Sequence, residues 1–207
     1  MNIEIYYDPI AHIVISDFFT KYEYETLYSL IEKIESEMDP GVTYSKDKKS
    51  ITLNEKVKKN KTFWPYNRMD LIESSAICFI IEKKMWTDEM RSLYKNVKDS
   101  AFNYYHNTNK SSITISKYTK NDFYKEHYDR LRSISGNILM SKDIVEGGNF
   151  ILKNVHGEIK QINHKNNTCL LFPSECLHYV TPIENDCKRF SIQYFSEIDY
   201  AASIKYS

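Results

Sequence analysis

The sequence contains little of what marks several large classes of protein. Only five glycines and five prolines occur among 207 residues, and 42% of the residues are hydrophobic, which excludes collagen-like and low-complexity disordered chains. The 28 basic residues are matched by 28 acidic ones, so the basic excess typical of a nonspecific nucleic-acid binder is missing. We therefore expect a folded protein that does not bind nucleic acid.

The cysteines and the apolar segments exclude two further environments. The four cysteines contain no CxxC pair, which predicts reduced thiols rather than a disulfide framework or a structural zinc site. No stretch approaches the ~20 apolar residues that cross a bilayer, and the first residues do not have the pattern of a signal peptide. We expect a cytoplasmic protein with no membrane partner, and the sequence leaves its oligomeric state open.

Two kinds of hydrophobic periodicity divide the chain. Helical spacing predicts one helix over about 19–38 and two more over about 68–106, with a break near Lys84. From residue 111 onward, short alternating strands are separated by turn signals. This order predicts a single α+β domain over residues 1–207, with helical support at about 19–107 and a β-sandwich or barrel core at about 111–196.

A lysine-rich segment at residues 46–61 interrupts the helical half of the chain. Such a run is typical of a solvated or disordered loop. Trp64 and Tyr66 follow it directly, and long loops of compact domains often cover functional sites. The segment is therefore either a disordered loop or a lid, and Trp64 is a candidate contact for a substrate.

His127 and Asp129 are the first candidate metal ligands. Side chains at positions i and i+2 of an extended chain project to the same side, so this imidazole and this carboxylate can reach one ion. His178, in a later predicted strand, is the candidate for a third ligand. Two histidines and one carboxylate form the facial triad that leaves positions open on non-haem Fe(II).

Arg189 and Ser191 form a second i, i+2 pair, downstream of His178. A turn signal at residues 184–186 predicts a hairpin that places His178 and Arg189 on adjacent antiparallel strands. The planar guanidinium suits a carboxylate, to which Ser191 can add one hydrogen bond. The two pairs together predict a site for a co-substrate that chelates a metal at one end and carries an acid at the other.

In this order, the motifs resemble the prolyl 4-hydroxylase branch of the 2-oxoglutarate and Fe(II)-dependent dioxygenases. The resemblance extends over about residues 112–196, and the strand and helix near the start are similar to those that open such domains. It implies a double-stranded β-helix, or jelly roll, buttressed by N-terminal helices. The motifs that carry it are SKY at 116–118, HYD at 127–129, EGGNF at 146–150, LFPS at 171–174, HYVTP at 178–182 and RFS at 189–191.

The resemblance also implies a role for each candidate residue. His127, Asp129 and His178 would hold Fe(II), and Arg189 would bind the distal carboxylate of 2-oxoglutarate with help from Ser191 and Tyr118. The implied cofactors are Fe(II), 2-oxoglutarate as co-substrate and O2, with ascorbate as an optional addition. The residues that could contact a substrate are Tyr124, Tyr128, Arg130 and Trp64.

Such enzymes couple the oxidative decarboxylation of 2-oxoglutarate to hydroxylation of an unactivated C–H bond. We therefore expect hydroxylation of an amino-acid side chain, in peptidyl proline or in a free amino acid. Asp129 favours hydroxylation over halogenation, because related halogenases have a small residue at this position. The alternative is a catalytically silent jelly-roll module that holds a metabolite in the same pocket; an intact triad with an intact Arg-x-Ser favours the enzyme.

Overall fold

A computed structural model describes residues 1–44, 51–103, 108, 110–129, 132–162 and 165–197. Within these residues, two antiparallel β-sheets face each other and helices cover the outer side of the larger sheet. This arrangement confirms the predicted α+β jelly roll buttressed by helices. No helix of the described part is long and apolar enough to cross a membrane.

The helices begin and end close to the predicted positions. The first starts at a capping box in which Thr20 and Glu23 satisfy each other's backbone N–H groups, and it buries Leu27, Tyr28 and Ile31 against the larger sheet. The predicted break near Lys84 lies two residues further on, between the second and third helices. The helices are α1 (Lys21–Lys33), α2 (Ile72–Met85), α3 (Asp88–Lys95) and α4 (Ser100–Asn103), with 3-10 turns at Glu35–Glu37 and Pro65–Arg68.

The larger sheet has eight strands in the order β1-β2-β13-β10-β15-β8-β7-β3. It therefore joins strands from the start, the middle and the end of the chain. Its strands are β1 (Asn2–Tyr6), β2 (His12–Ser16), β3 (Asp39–Pro40), β7 (Lys61–Phe63), β8 (Lys110–Tyr118), β10 (Ile134–Ser141), β13 (Thr168–Pro173) and β15 (Arg189–Glu197).

The smaller sheet has five strands in the order β12-β11-β14-β9-β6, and a separate hairpin joins two short strands. The smaller sheet faces the larger one across an apolar layer that includes Leu152, Phe172 and Val180. Its strands are β6 (Lys58–Lys59), β9 (Phe123–His127), β11 (Phe150–Lys153), β12 (Ile159–Ile162) and β14 (Leu177–Val180), and the hairpin strands are β4 (Val42–Tyr44) and β5 (Ile51–Leu53).

Alternation along β8 divides its buried side chains between two cores. Ile113 and Ile115 pack with the helices, whereas Tyr118 packs between the two sheets. The alternation in the sequence of this strand therefore corresponds to two different faces. The face that looks toward the smaller sheet carries the polar side chains of Ser116 and Tyr118, both buried, and it lines the space between the sheets.

The prediction that His178 and Arg189 lie on adjacent strands is wrong. β14, which carries His178, pairs with β9 and β11, whereas β15, which carries Arg189, pairs with β8 and β10. Residues 181–188 do not close a hairpin; they cross from the smaller sheet to the larger one. The two side chains therefore come from opposite sheets.

The segment 39–63 also differs from its prediction. β3 and β7 extend the larger sheet, and β6 pairs with β9 at the edge of the smaller one, so the expected helical support contains strands. The lysine-rich residues from 51 to 61 are thus neither wholly loop nor disordered. Residues 45–50 lie outside the described part of the chain.

Candidate metal and co-substrate site

The side chains of His127, Asp129 and His178, called the triad below, meet at one point between the sheets. His127 ends β9 and is the direct cross-strand partner of His178 in β14, and Asp129 follows two residues later. The Asp129 carboxylate oxygens lie 3.9 Å from Nε2 of His127 and 3.4 Å from Nε2 of His178. One ligand atom from each residue falls within 4.8 Å of the others, so the three could hold a metal ion.

Both histidines are oriented by the same kind of backbone contact. Nδ1 of His127 lies 2.8 Å from the carbonyl oxygen of Lys125, and Nδ1 of His178 lies 2.9 Å from that of Cys176. A carbonyl accepts only, so each Nδ1 carries the proton and each Nε2 has its lone pair free. This tautomer suits a metal ligand, because a hydrogen bond at the other ring nitrogen fixes the ring and raises its basicity.

Asp129 is held by two serines that the sequence did not bring forward. The Ser135 hydroxyl donates a hydrogen bond to Asp129 Oδ2 at 2.7 Å, and it lies 2.8 Å from the Ser174 hydroxyl. The backbone carbonyl of Ser174 accepts a hydrogen bond from the backbone N–H of Asp129 at 3.0 Å. A signal was present, because Ser135 and Asn137 alternate as polar residues in the otherwise apolar strand β10. Polar side chains at i and i+2 of a buried strand indicate a polar cavity on that face.

Burial sets the protonation of the triad's first histidine. The pKa of His127 is lowered well below 6.5, mainly because burial disfavours the charged form and secondly because His178 lies beside it. The ring stacks on Tyr124 with centroids 3.5 Å apart, and His178 packs against Phe150 and Phe172. At neutral pH His127 is therefore a neutral imidazole, the form that binds a metal.

Arg189 is a buried cation whose donors are only partly used. Its side chain is fully buried, and Nη1 donates to the carbonyl of Gly148. Within the described residues, its Nε and Nη2 have no hydrogen-bond partner. Burying an unpaired guanidinium is costly, and Nε with Nη2 forms the fork that binds a carboxylate through two parallel bonds. The unused edge of Arg189 thus fits the acid end of a small dicarboxylate.

Tyr118 and Ser191 lie beside Arg189 as predicted. Tyr118 is the cross-strand partner of Arg189, whose guanidinium carbon is 5.4 Å from the centre of the tyrosine ring. Burial raises the pKa of Tyr118 to about 12, so its hydroxyl is a neutral donor at neutral pH. The Ser191 hydroxyl donates to Asn137 Oδ1 at 2.9 Å and accepts from Gln193 at 3.0 Å. The help of Ser191 to a carboxylate therefore stays a prediction.

Gly148 makes the approach to Arg189 possible. A Cβ atom at this position would lie 2.7 Å from Arg189 Nη1 and 2.3 Å from Ile183 Cδ1, and the residue has a φ of +58°. Both the contact and the left-handed backbone therefore favour glycine. The turn at Gly147 and Gly148 has the architectural role expected of the EGGNF motif.

The four predicted substrate contacts have different outcomes. Tyr124 stacks on His127, and Tyr128 lies between the two ligands along the chain with 45% of its surface exposed. Trp64 is half-buried and follows β7 directly, on the face shared with the buried Thr62. Arg130 lies outside the described residues.

A role for Cys176 as a nucleophile is disfavoured, because burial raises the pKa of its thiol to about 11.

Sequence reasoning missed Lys58 and Asn60. Both are buried beside the site, although they belong to a lysine-rich run that reads as solvent-exposed. The backbone of Lys58 pairs with that of Tyr124, and its ammonium lies 4.7 Å from the centre of the tyrosine ring. The pairing joins residues 58 and 124, which are far apart along the chain, so no local pattern could have revealed it.

Comparisons with known proteins agree with this geometry. Residues 113–197 match the family model of the 2OG-Fe(II) oxygenase superfamily, a segment that contains the triad, Tyr118, Arg189 and Ser191. None of the curated proteins searched matches the sequence.

Solved structures share the fold at low sequence identity. A prolyl-4-hydroxylase of Pseudomonas putida is 12% identical with a TM-score of 0.67, over 92% of this chain and 94% of that one. A Trichoplax adhaerens prolyl hydroxylase in complex with a hypoxia inducible factor peptide fragment is 12% identical with a TM-score of 0.69, over 93% and 86%. A 2OG-Fe(II) oxygenase family oxidoreductase of Burkholderia pseudomallei is 12% identical with a TM-score of 0.64, over 90% and 84%.

Proposed function

We propose that the chain, whose residues 113–197 match the family model of the 2OG-Fe(II) oxygenase superfamily, is a dioxygenase that hydroxylates an amino-acid side chain. The observation that carries the proposal is the meeting of two free imidazole Nε2 atoms, one carboxylate and an unsatisfied guanidinium edge between the two sheets. Strands from residues 39–63 pair with both sheets, which supports the prediction that residues 1–207 form one domain.

His127, Asp129 and His178 are the residues that would hold Fe(II). The carbonyls of Lys125 and Cys176 and the hydroxyl of Ser135 keep the three ligand atoms directed at one point. Three protein ligands on one face leave positions for a chelating co-substrate and for O2. When bound, Fe(II) with 2-oxoglutarate and O2 supplies the oxidising power that turns a C–H bond into C–OH, while 2-oxoglutarate becomes succinate and CO2.

Arg189 would bind the distal carboxylate of 2-oxoglutarate. Nε and Nη2 would donate the two parallel bonds, Gly148 fixes the remaining Nη1, and the Tyr118 ring lies beside the guanidinium. Because Tyr118 belongs to β8 and Arg189 to β15, which are paired along their length, the relative position of these two residues is set by the sheet before any ligand binds. Arg189 and Tyr118 would thus orient the co-substrate.

The substrate is an amino-acid side chain, either proline within a peptide or a free amino acid. The fold shared with two prolyl hydroxylases supports this class. Tyr124 stacks on His127 and Tyr128 is exposed between two ligands along the chain, and flat apolar rings suit the packing of a small apolar ring or chain. Trp64 is the third candidate contact.

Succinate formation tests the proposed function. Purified protein with Fe(II), 2-oxoglutarate, ascorbate and O2 is offered a panel of proline-containing peptides and free amino acids. We expect at least one of them to stimulate succinate formation, with a product 16 mass units heavier in equal amount. His178→Ala should form no succinate above background, because the triad then lacks one ligand.

The control is His156→Ala, since His156 is exposed on the β11–β12 turn and is separated along the chain from the triad and from Arg189. It should match the wild-type protein. Equal succinate formation by wild type and His178→Ala would contradict the proposed function. Binding of 2-oxoglutarate without turnover of any panel member would favour the catalytically silent module.

A further inference from the structure

Alternation along residues 58–62 directs three polar side chains into the protein. Lys58, Asn60 and Thr62 are buried, whereas Lys59 and Lys61 between them are exposed. Successive residues of an extended chain point to opposite sides, so the three buried side chains share one face. We call this set the 58–62 face; it lies along the edge of both sheets, because β6 pairs with β9 and β7 pairs with β8.

The 58–62 face is next to the triad. Lys58 lies over the ring of Tyr124, and that ring stacks directly on His127. Asp129 is the charged group that acts most on Lys58. Asn60 lies on the other side, near Tyr118. The face therefore extends from the metal ligands toward the residues around Arg189.

Gly41 leaves the space that Lys58 and Asn60 occupy. A Cβ atom at Gly41 would lie 1.9 Å from Asn60 Oδ1 and 3.1 Å from Lys58 Cε. The backbone N–H of Gly41 also donates to the carbonyl of Asn60 at 2.8 Å, which holds the two segments together. The inward position of both side chains is thus built into the backbone around them.

Lys58 and Asn60 are buried without the ion pair or hydrogen bonds that buried polar side chains normally make. Lys58 is only 9% exposed, and within the described residues its ammonium makes no ion pair or hydrogen bond. Its neighbour Lys59, by contrast, lies 3.8 Å from Asp122. Both polar atoms of the Asn60 amide are buried, and in the same part of the chain neither makes a hydrogen bond of full geometry, although the amide lies close enough to the Tyr118 hydroxyl to lower its pKa. Buried polar groups are normally paired, so two unpaired ones on one face indicate a missing ligand.

Counting charge shows what kind of ligand is missing. A divalent metal and Arg189 carry three positive charges, and Asp129 with dianionic 2-oxoglutarate carries three negative ones, so these four groups balance. Arg132, another cation near the triad, lies 3.4 Å from Glu197 and 4.0 Å from Asp129, and the closer carboxylate of Glu197 balances its charge. Lys58 keeps its charge at neutral pH, because burial lowers its pKa only to about 8. It is therefore a cation without a counter-charge after metal and co-substrate are in place.

We propose that Lys58 and Asn60 form a subsite that binds a carboxylate of the hydroxylation substrate. The inference rests on the proposed function and narrows its substrate class to amino-acid compounds with a free carboxylate. That carboxylate is either the α-carboxylate of a free amino acid or an acidic side chain beside the target residue of a peptide. Lys58 supplies the charge and Asn60 supplies an amide N–H donor.

The test compares ligand pairs that differ only in the carboxylate. The probes are L-amino acids with their carboxamides, and proline peptides in which a neighbouring Glu is replaced by Gln. Dissociation constants are measured by calorimetry for protein with Fe(II) and 2-oxoglutarate in the absence of oxygen. In wild type we expect at least one carboxylate member to bind about 10- to 100-fold more tightly than its partner. Preference among the free amino acids or among the peptides identifies the source.

Lys58→Met keeps the length of the buried side chain and removes its charge, and Lys61→Met is the control on the exposed side of the same segment. Lys58→Met should bind both members of each pair equally, whereas Lys61→Met should retain the wild-type preference. A second measurement needs no variant: acylation of Lys58 by an amine-reactive reagent, followed by mass spectrometry, should slow when the carboxylate member is present and not when the amide is.

The 2-oxoglutarate dissociation constant is measured first in every variant. If wild type does not bind 2-oxoglutarate, the proposed function fails and this inference fails with it. If wild type binds 2-oxoglutarate but prefers no carboxylate member, only this inference is overturned. It is also overturned if Lys58→Met weakens 2-oxoglutarate binding by more than about twofold, since Lys58 would then belong to the co-substrate site.

Discussion

The two sides of the pocket are made from different kinds of sequence. The triad and Arg189 come from residues 113–197, where each functional side chain belongs to a short motif on a strand or, for Asp129, two residues after one. The 58–62 face comes from two short strands outside that segment, in a lysine-rich run with no motif. On the first side, only residue types that can bind a metal ion or the carboxylate of the co-substrate are suitable. On the second side, if Lys58 and Asn60 form the proposed subsite, the residue types would depend on the substrate, and the difference would separate shared chemistry from individual specificity.

Removal of a triad ligand should give the largest loss of ligand binding. This loss should be confined to the side of the pocket that carries the triad and Arg189. We expect Asp129→Ala to lower Fe(II) affinity on the order of 10³-fold, because it removes the charged ligand and leaves Ser135 without its acceptor. Anaerobic calorimetry measures this affinity. Glu126→Ala is the matched control, because Glu126 is an exposed acid that pairs only with Lys153 among the described residues. Equal metal affinity of wild type and Asp129→Ala would contradict the ligand assignment.

Arg189→Met should weaken the binding of 2-oxoglutarate and leave the binding of Fe(II) nearly unchanged. The loss of two charge-assisted hydrogen bonds should raise the 2-oxoglutarate dissociation constant about 10- to 100-fold, with Fe(II) affinity nearly unchanged. Lys188→Met removes a neighbouring positive charge that pairs with Glu32 and Glu35 on the outer side. If both variants weaken 2-oxoglutarate equally, the effect is long-range charge and not the guanidinium fork.

Two glycines allow each side to be disturbed separately. Gly148→Ala places a methyl group against Arg189 Nη1 at a positive φ and should cost about 1–3 kcal/mol of stability and weaken 2-oxoglutarate binding. Gly41→Ala pushes against Asn60 and Lys58 and should weaken substrate binding while 2-oxoglutarate binding is unchanged. Gly157→Ala, also at a positive φ but in open space, should show the backbone cost alone. If Gly41→Ala and Gly148→Ala weaken the binding of the same ligand, the assignment of the two sides to different ligands is wrong.

The pH dependence of metal binding should show a smaller effect. His127 has a lowered pKa because it is buried, so protons compete with the metal at this ligand only below the ordinary histidine value of 6.5. Because the folded pKa is depressed, the neutral ligand persists as the pH falls through 6.5 and is lost only further down. The contribution of His127 to metal affinity should therefore change little between pH 8 and pH 6.5. A decline that begins above pH 7 would contradict the burial of this imidazole.

The same contrast explains how much the sequence could predict. His127 with Asp129, and Arg189 with Ser191, were predicted because i, i+2 spacing on a strand is enough to place two side chains on one side. The alternation of β8 was sufficient to divide Ile113 from Tyr118. These are local properties, and the structure preserves them.

Errors arose where the result depends on pairing between distant segments. The turn at 184–186 predicted a hairpin, but residues 181–188 cross between the sheets, because β15 pairs with β8 and β10 instead. Lys58 reads as solvated until β6 pairs with β9 and buries it. Local spacing carries no information about which strand becomes a neighbour, so the second side of the pocket could not be predicted.

The most direct test of the central claim is the visible absorption of the protein with Fe(II) and 2-oxoglutarate without oxygen. If the triad holds Fe(II) and Arg189 holds the distal carboxylate, a metal-to-ligand charge-transfer band should develop with 2-oxoglutarate. The band should be lost in His178→Ala and should require more 2-oxoglutarate in Arg189→Met. Folded wild-type protein that shows no such band at saturating concentrations of both would contradict the account.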